Sequence, residues 1–337
     1  MTDGHGDDLY RYGDKVRSNF STNICSAVDH TALLEHLAGM GERIKSYPEP
    51  TPVSVESCLA GQLDIPAEAV MVTNGATEAI YMIAQSRYGG RSQIVAPTFR
   101  EYQDACRLFR HQIRFISGID SVNSGSDLVW LCNPNNPTGN VTERDRLVEC
   151  IHSHPDVLFV IDQAYADYTE LPVLTAEDAL TLPNVILLYS LTKLFAIPGL
   201  RIGYAVGNPA TMAEVRRYRM PWSVNCFAIE AANFLIPRRA DYHIDATRLH
   251  AEALRIAAEF RGMGIAVVPS DCNFILCELP KGTAAELKDY LIEKHGILIR
   301  DASNFEGLGE RHFRVAAQAE AENDCLIKAV KEWIISQ

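Results

Sequence analysis

Residues 185–206 read VILLYSLTKLFAIPGLRIGYAV, and this stretch decides the fold. Two apolar runs, VILLYS (185–190) and IGYAV (202–206), are strand-sized and rich in aliphatic residues. Their apolarity is continuous rather than alternating, which predicts strands buried on both faces of a sheet. Between them sits Lys193, bracketed by Ser190 and Thr192, with Arg201 eight residues on. A lysine after a strand is ordinarily solvated. Inside an apolar run a charged amine is costly, and a lysine held in such a pocket can give up its proton and act as a nucleophile toward a carbonyl.

Outward from this stretch the same texture recurs. VMVT (70–73), IVAP (94–97), LVWLC (128–132) and VLFVID (157–162) are further short runs, and the segments Glu78–Arg87 and Arg144–His152 read as helices between them. Buried strands alternating with helices predict an α/β fold, a three-layer, mostly parallel sheet. Past residue 235 the pattern changes. A long amphipathic helix over Asp241–Arg261 is followed by IAVV (265–268), NFILCEL (273–279), the helix AAELKDYLIEKH, ILIR (297–300), HFRVAA (312–317) and a final helix over 320–335. This predicts a smaller α+β C-terminal domain. The expected division is an N-terminal segment 1–35 packing on the small domain, a large domain 36–234 and the small domain 235–337.

A chain of 337 residues exceeds the size at which one hydrophobic core stops growing, in keeping with two domains. It carries 43 acidic and 31 basic residues, a net charge of −12, which argues against nucleic acid as a partner. No apolar run approaches membrane-spanning length, so no membrane partner is expected. The start, MTDGHGDDLYRYGDK, has no apolar signal region, and the nine cysteines form no close CxxC pairs. Both point to reduced thiols and a cytoplasmic protein. Cys132, Cys272 and Cys277 read as small core residues rather than metal ligands.

Five local signals carry chemistry. Around Lys193, the hydroxyls of Ser190 and Thr192 and the guanidinium of Arg201 are donors suited to a phosphate. Asp162 ends VLFVID and so projects at the C-terminal edge of a buried strand, where α/β sheets bind ligands. On its own it would cap the next helix; as a buried carboxylate it needs a partner, and a protonated pyridine nitrogen is one. Tyr165 follows three residues later and could bond the same ring's oxygen. NPNNPTG (133–139) is a rigid turn that presents Asn136. In TNGATEAIYMIA (73–84), Gly75 lets backbone approach closely, and the N–H groups of Ala76 and Thr77 open a helix at its positive end. Tyr102, in PTFREY, offers a ring for stacking or simply a buried core tyrosine.

Taken together, NPNNPTG, the Asp162–Tyr165 pair and SLTK…PGLRIGY resemble the fold-type I pyridoxal-phosphate enzymes of the aspartate aminotransferase superfamily over essentially the whole chain. The resemblance implies pyridoxal 5'-phosphate as cofactor, joined to Lys193 as a Schiff base, with Asp162 on the ring nitrogen and Asn136 and Tyr165 on the ring oxygen. It also implies Tyr102 stacked on the ring, and Gly75, Ala76, Thr77, Ser190, Thr192 and Arg201 around the phosphate. Tyr47, in KSYPEP, resembles the tyrosine that reaches the phosphate from a neighbouring subunit, so a homodimer is implied.

Two branches of the superfamily compete. NFSTNI after His5, MPWSVN (220–225), AIPGLR and ILIRDASNFEGL (297–308) resemble threonine-phosphate decarboxylases of cobalamin biosynthesis more than histidinol-phosphate aminotransferases. Either substrate is a small phosphorylated amine and needs cationic donors. Arg300 and Arg314 are the candidates, with His5 and Asn23 as further substrate contacts. A non-catalytic regulator of the same fold is a third reading; such proteins carry an added DNA-binding domain. The chain departs from the resembling pattern at Gln163, where glutamate is usual after the aspartate. It departs again at Gln318 in RVAAQA, where a second arginine is usual, and it lacks the expected proline after NFSTNI. Loss of the charge at 318 is expected to weaken anion binding.

Overall fold

The computed structural model describes residues 8–337. The chain enters through a two-residue strand, β1 (Ser18–Asn19). The central sheet is built from β2 (Val70–Thr73), β3 (Arg91–Val95), β4 (Gln112–Ile116), β5 (Leu128–Cys132), β6 (Leu158–Asp162), β7 (Val185–Tyr189) and β8 (Gly203–Gly207). Their order is β2-β8-β7-β6-β5-β3-β4, with β8 antiparallel to both neighbours and the other pairings parallel. β5, β6 and β8 are buried along their whole length, as continuous apolar runs require.

Side chains alternate between two cores. From β5, Val129 and Leu131 join the cluster on one face, whereas Leu128, Trp130 and Cys132 join the cluster on the other. Helices cover both faces, which is the three-layer α/β arrangement. β4 is a strand the apolar runs do not reveal. It is the sheet edge, and Gln112 and Arg114 face outward from it. β3 stops at Val95, before Pro97, which has no N–H to give the ladder.

A second sheet, β12-β13-β10-β9, is antiparallel and is formed by β9 (Ala266–Val267), β10 (Phe274–Glu278), β12 (Arg300–Asp301) and β13 (His312–Ala316). It packs with the helices Ala246–Gly262, Ala284–His295 and Glu320–Ser336 around its own apolar cluster. β11 (Ile297–Leu298) pairs instead with β1, in parallel, and Phe20 is fully buried in this same cluster. The helix expected from Asp241 begins at Ala246. Asp245 caps it by accepting from the Arg248 N–H, and residues 236–242, with Pro237 in their first turn, form a tighter helical stretch before it. Apolar packing passes from one core to the other within this helix: Leu249 belongs to the large-sheet cluster, and Ala253 onward to the second.

The edge strand β2 leads directly into the Gly75 turn, and side chains close its free side. Glu56 Oε1 accepts from the Val72 N–H at 2.9 Å, Arg219 donates to Val72 O at 3.2 Å, and Arg219 and Glu56 form an ion pair buried on both sides. Removing one partner of a buried pair strands the other charge. Arg219→Met is therefore expected to lower unfolding free energy by about 3 kcal/mol, read from the shift in the urea midpoint of the full chain.

Candidate active site

The loops at the C-terminal ends of β2, β5, β6 and β7 meet the second sheet around one cavity of about 530 Å³. Of the residues singled out from sequence, Ala76, Thr77, Tyr102, Asn136, Asp162, Tyr165, Ser190, Thr192, Lys193, Arg201, Arg300 and Arg314 line it. Gly75 lies just behind, with φ +71; a Cβ there would stand 2.6 Å from an Arg201 guanidinium nitrogen. Glycine is thus required both by the left-handed backbone and by the close approach of Arg201. Arg201 is itself left-handed, at φ 58. Its guanidinium thus stands against Gly75, the first residue of the twelve-residue helix Gly75–Ser86, whose next two residues, Ala76 and Thr77, line the same cavity. Ser190 and Thr192 hydroxyls bond each other at 2.7 Å at the start of the short helix that carries Lys193.

Asp162 sits at the last position of β6, in register with Cys132 and Leu188. It is 4% exposed. Its Oδ2 accepts from the Tyr102 hydroxyl at 2.7 Å and its Oδ1 from the Ala164 N–H at 2.9 Å. Burial raises its carboxyl above the usual range, against the opposing pull of these bonds and of Lys193. Tyr102 is fully buried and stacks on Trp130, with centroids 5.4 Å apart and planes 12° apart. One ring face is therefore committed to the core, and its hydroxyl serves Asp162.

Tyr165 is held as a neutral phenol, its hydroxyl pushed up to about 12 by burial. Arg314 donates to Asn136 Oδ1 and to Ser21 O. Because the Asn136 oxygen is taken, its amide nitrogen is the end left to donate. Burial lowers the Arg314 guanidinium to about 10, so it is still a cation at neutral pH. Arg300 is also lowered by burial; it donates to Asp301 O at 2.6 Å and Asn304 Oδ1 at 2.8 Å.

Three candidates stand elsewhere. Asn23, at φ 56, is fully buried off the cavity wall, next to Tyr165. Tyr47 is 87% exposed and rests against Trp222, far from being enclosed by its own chain. His5 lies outside the described residues. Gln318, expected to matter as a missing charge at the site, does not line the cavity; its amide bonds the backbone of Ile24 and Ser26. Sequence reasoning also missed Ser21 and Thr22, whose carbonyls receive Arg314 and Lys193, and Tyr168, whose hydroxyl donates to Lys193 O. Carbonyl groups carry no sequence signal, and Tyr168 sits in an unremarked turn.

A primary amine, a buried carboxyl that meets no guanidinium among the described residues, a neutral phenol and a glycine cradle under an arginine suit a phosphorylated pyridine aldehyde. Pyridoxal phosphate fits the residues present.

Comparison with known proteins agrees with the geometry. The family model described as aminotransferase class I and II matches residues 18–330. The chain is 31% identical to a threonine-phosphate decarboxylase of Salmonella typhimurium, over 89% of this chain and 85% of that one. It is 28% identical to a histidinol-phosphate aminotransferase of Moorella thermoacetica, over 89% and 81%. Among solved structures, the L-threonine-O-3-phosphate decarboxylase of Porphyromonas gingivalis superposes with a TM-score of 0.92 at 39% identity, covering 95% of this chain and all of that one.

Asp162 gives a test of the electrostatics without any ligand. A raised carboxyl means the folded state binds the proton more tightly than the unfolded chain, so this group costs stability as pH rises through the ordinary carboxylate range to the raised value. Asp162→Asn removes that cost. The ligand-free variant is expected to melt higher than wild type at neutral pH, and the difference to shrink on acidification, in calorimetric scans across the mildly acidic range.

Proposed function

Because the chain belongs to the class I and II aminotransferase family, we propose that it is a pyridoxal-phosphate-dependent decarboxylase of L-threonine O-3-phosphate. The products are carbon dioxide and (R)-1-aminopropan-2-ol O-phosphate, for cobalamin biosynthesis. The observation that carries this reading is the pair Arg300 and Arg314. Both are buried in the Lys193 cavity, and the hydrogen-bond acceptors they meet are neutral oxygens. Two desolvated guanidiniums of this kind favour a ligand with more than one negative charge, such as a phosphate and a carboxylate on one small molecule.

The bound cofactor supplies an electron sink for the bond broken at Cα. Lys193 Nζ would hold its aldehyde, and Asp162 would pair with its ring nitrogen. Asn136 and Tyr165 would serve the ring oxygen as donors, and Gly75, Ala76, Thr77, Ser190, Thr192 and Arg201 would hold its phosphate. Arg300 and Arg314 clamp the substrate anions. Fixing both ends of a four-carbon substrate sets the direction of its Cα–carboxylate bond, so that orientation selects which bond breaks. Lys193 Nζ then delivers a proton to Cα in place of the lost carboxylate. His5 is a further substrate contact in this reading, whereas Asn23, buried off the cavity wall, backs Tyr165 instead; the nine cysteines, all free, fit a reducing cytoplasm.

A direct assay decides the reaction. The cofactor-loaded protein is expected to release carbon dioxide and aminopropanol phosphate from O-phosphothreonine, and Lys193→Ala to lose both this activity and the visible absorbance of the bound cofactor. Turnover of histidinol phosphate with 2-oxoglutarate, and no carbon dioxide from phosphothreonine, would reassign it to the aminotransferase branch.

A homodimer belongs to the same proposal. Tyr47 rests against Trp222, and Ile44, Val53 and Met220, close to one or the other in sequence, are further exposed apolar side chains of the large domain. A second copy would cover them and place Tyr47 at the phosphate of the partner site. Mixing inactive Lys193→Ala and Tyr47→Ala chains should then restore about a quarter of the wild-type activity, because half the dimers are hybrids with one intact site each.

A further inference from the structure

Residues Ser21–Ser26 form a strap between the two sheets, and its backbone is bonded from both sides. Ser21 O accepts from Arg314 Nη2, and Thr22 O accepts from Lys193 Nζ at 2.9 Å. The Cys25 N–H donates to the Tyr168 hydroxyl at 3.3 Å, and the same hydroxyl donates to Lys193 O at 3.0 Å. Ser21, Thr22 and Ile24 line the cavity. The strap therefore touches the reactive amine and one of the two substrate-clamping arginines through carbonyl groups alone.

Gln318 is the side chain that fastens this strap to the second sheet. It is 2% exposed. Its Nε2 donates to Ile24 O and its Oε1 accepts from the Ser26 N–H, both at 3.1 Å. One amide thus pairs with a carbonyl and an N–H two residues apart, as a neighbouring strand would. The backbone that carries this side chain is itself held: Asn323 Oδ1 accepts from the Gln318 main-chain N–H at 2.9 Å, and Asn323 Nδ2 donates to the Gln318 main-chain O at 3.1 Å and to Glu252 at 2.7 Å. Gln318 stands four residues beyond Arg314, on the chain leaving β13, so both grip the same strap from one stretch of backbone. An arginine at this position has no acceptor for the Ser26 N–H. The departure from the resembling pattern exchanges a charge for a backbone clamp.

We propose that Gln318 is a positioning residue for substrate, acting through the strap to set the place of Arg314. The inference rests on the substrate reading above. Without the clamp the Ser21 and Thr22 carbonyls lose their fixed position, and Arg314 loses the acceptor that orients it, so anion binding suffers before the bond-breaking step does.

The test uses cofactor-loaded protein, in which the cofactor's own phosphate site is filled. Gln318→Met removes both amide bonds at similar volume. It is expected to raise KM for O-phosphothreonine about tenfold with kcat changed by less than about twofold, to weaken inorganic phosphate binding measured by calorimetry, and to speed hydrogen exchange in the peptide spanning residues 21–26. Gln318→Glu keeps the acceptor for Ser26 and should fall between wild type and Gln318→Met; it carries the test if the methionine variant does not fold. A lower melting temperature with KM, phosphate affinity and exchange unchanged would show a structural role only and overturn the proposal. Tighter phosphate binding by Gln318→Arg would overturn it too, since the position would then contact the anion directly. Phosphate affinity and exchange do not depend on turnover. If the wild type leaves phosphothreonine untouched, the substrate reading fails while these two measurements still judge Gln318.

Discussion

Asp162 is an ionisable carboxyl at the end of a strand buried on both faces, and the site is arranged around making that tolerable. Burial disfavours its charge, while the Tyr102 hydroxyl, the Ala164 N–H and the nearby Lys193 favour it. None of these is a guanidinium that would lock the carboxylate into a permanent salt bridge. The group is left with its charge partly uncompensated, which is what a ring cation needs to find. Trp130 fixes Tyr102 from behind, and Tyr102 fixes the carboxyl, so the position of one charge traces back to aromatic packing in the core on one face of the sheet.

The same logic runs in the other direction on the second sheet. Arg300 and Arg314 are cations drawn from adjacent antiparallel strands, opposite each other in register, so Arg300 adds to the burial that lowers Arg314. Their local acceptors are carbonyls and amides, which orient a guanidinium without neutralising it. A net charge of −12 for the whole chain thus coexists with a cavity whose unmet demand is for anions. Where the few cations stand decides ligand preference; the overall sign does not.

Much of this was legible in the sequence because buried strands and strand ends leave a pattern. Continuous apolarity located six of the seven central strands, and Asp162 and Lys193 stood out as charged residues closing or interrupting apolar runs. β4 escaped because it is an edge strand with Gln112 and Arg114 outward. The long helix was expected to start too early, since apolar periodicity cannot sense that Asp245 turns its side chain back onto the Arg248 N–H. The strap was invisible for a deeper reason: Ser21 and Thr22 act through carbonyls that every residue possesses. Gln318 was noticed, but as an absent charge, because sequence shows what a residue is and not which backbone it meets.

The side chains that close the outer edge of β2 have a consequence for how this protein behaves in a crowd. Arg216 meets Val70 O, Glu56 meets the Val72 N–H and Arg219 meets Val72 O, so the outward hydrogen-bonding groups of that strand are already spoken for. In effect three side chains take the place of an eighth strand. VMVT is short, apolar and uncharged, the kind of segment that templates pairing with another chain when its edge is bare. Here an incoming strand would have to break a buried ion pair before it could form its first ladder bond. The sheet can therefore end on one of its most apolar strands, directly beneath the turn that carries Gly75, without offering that strand to a neighbour.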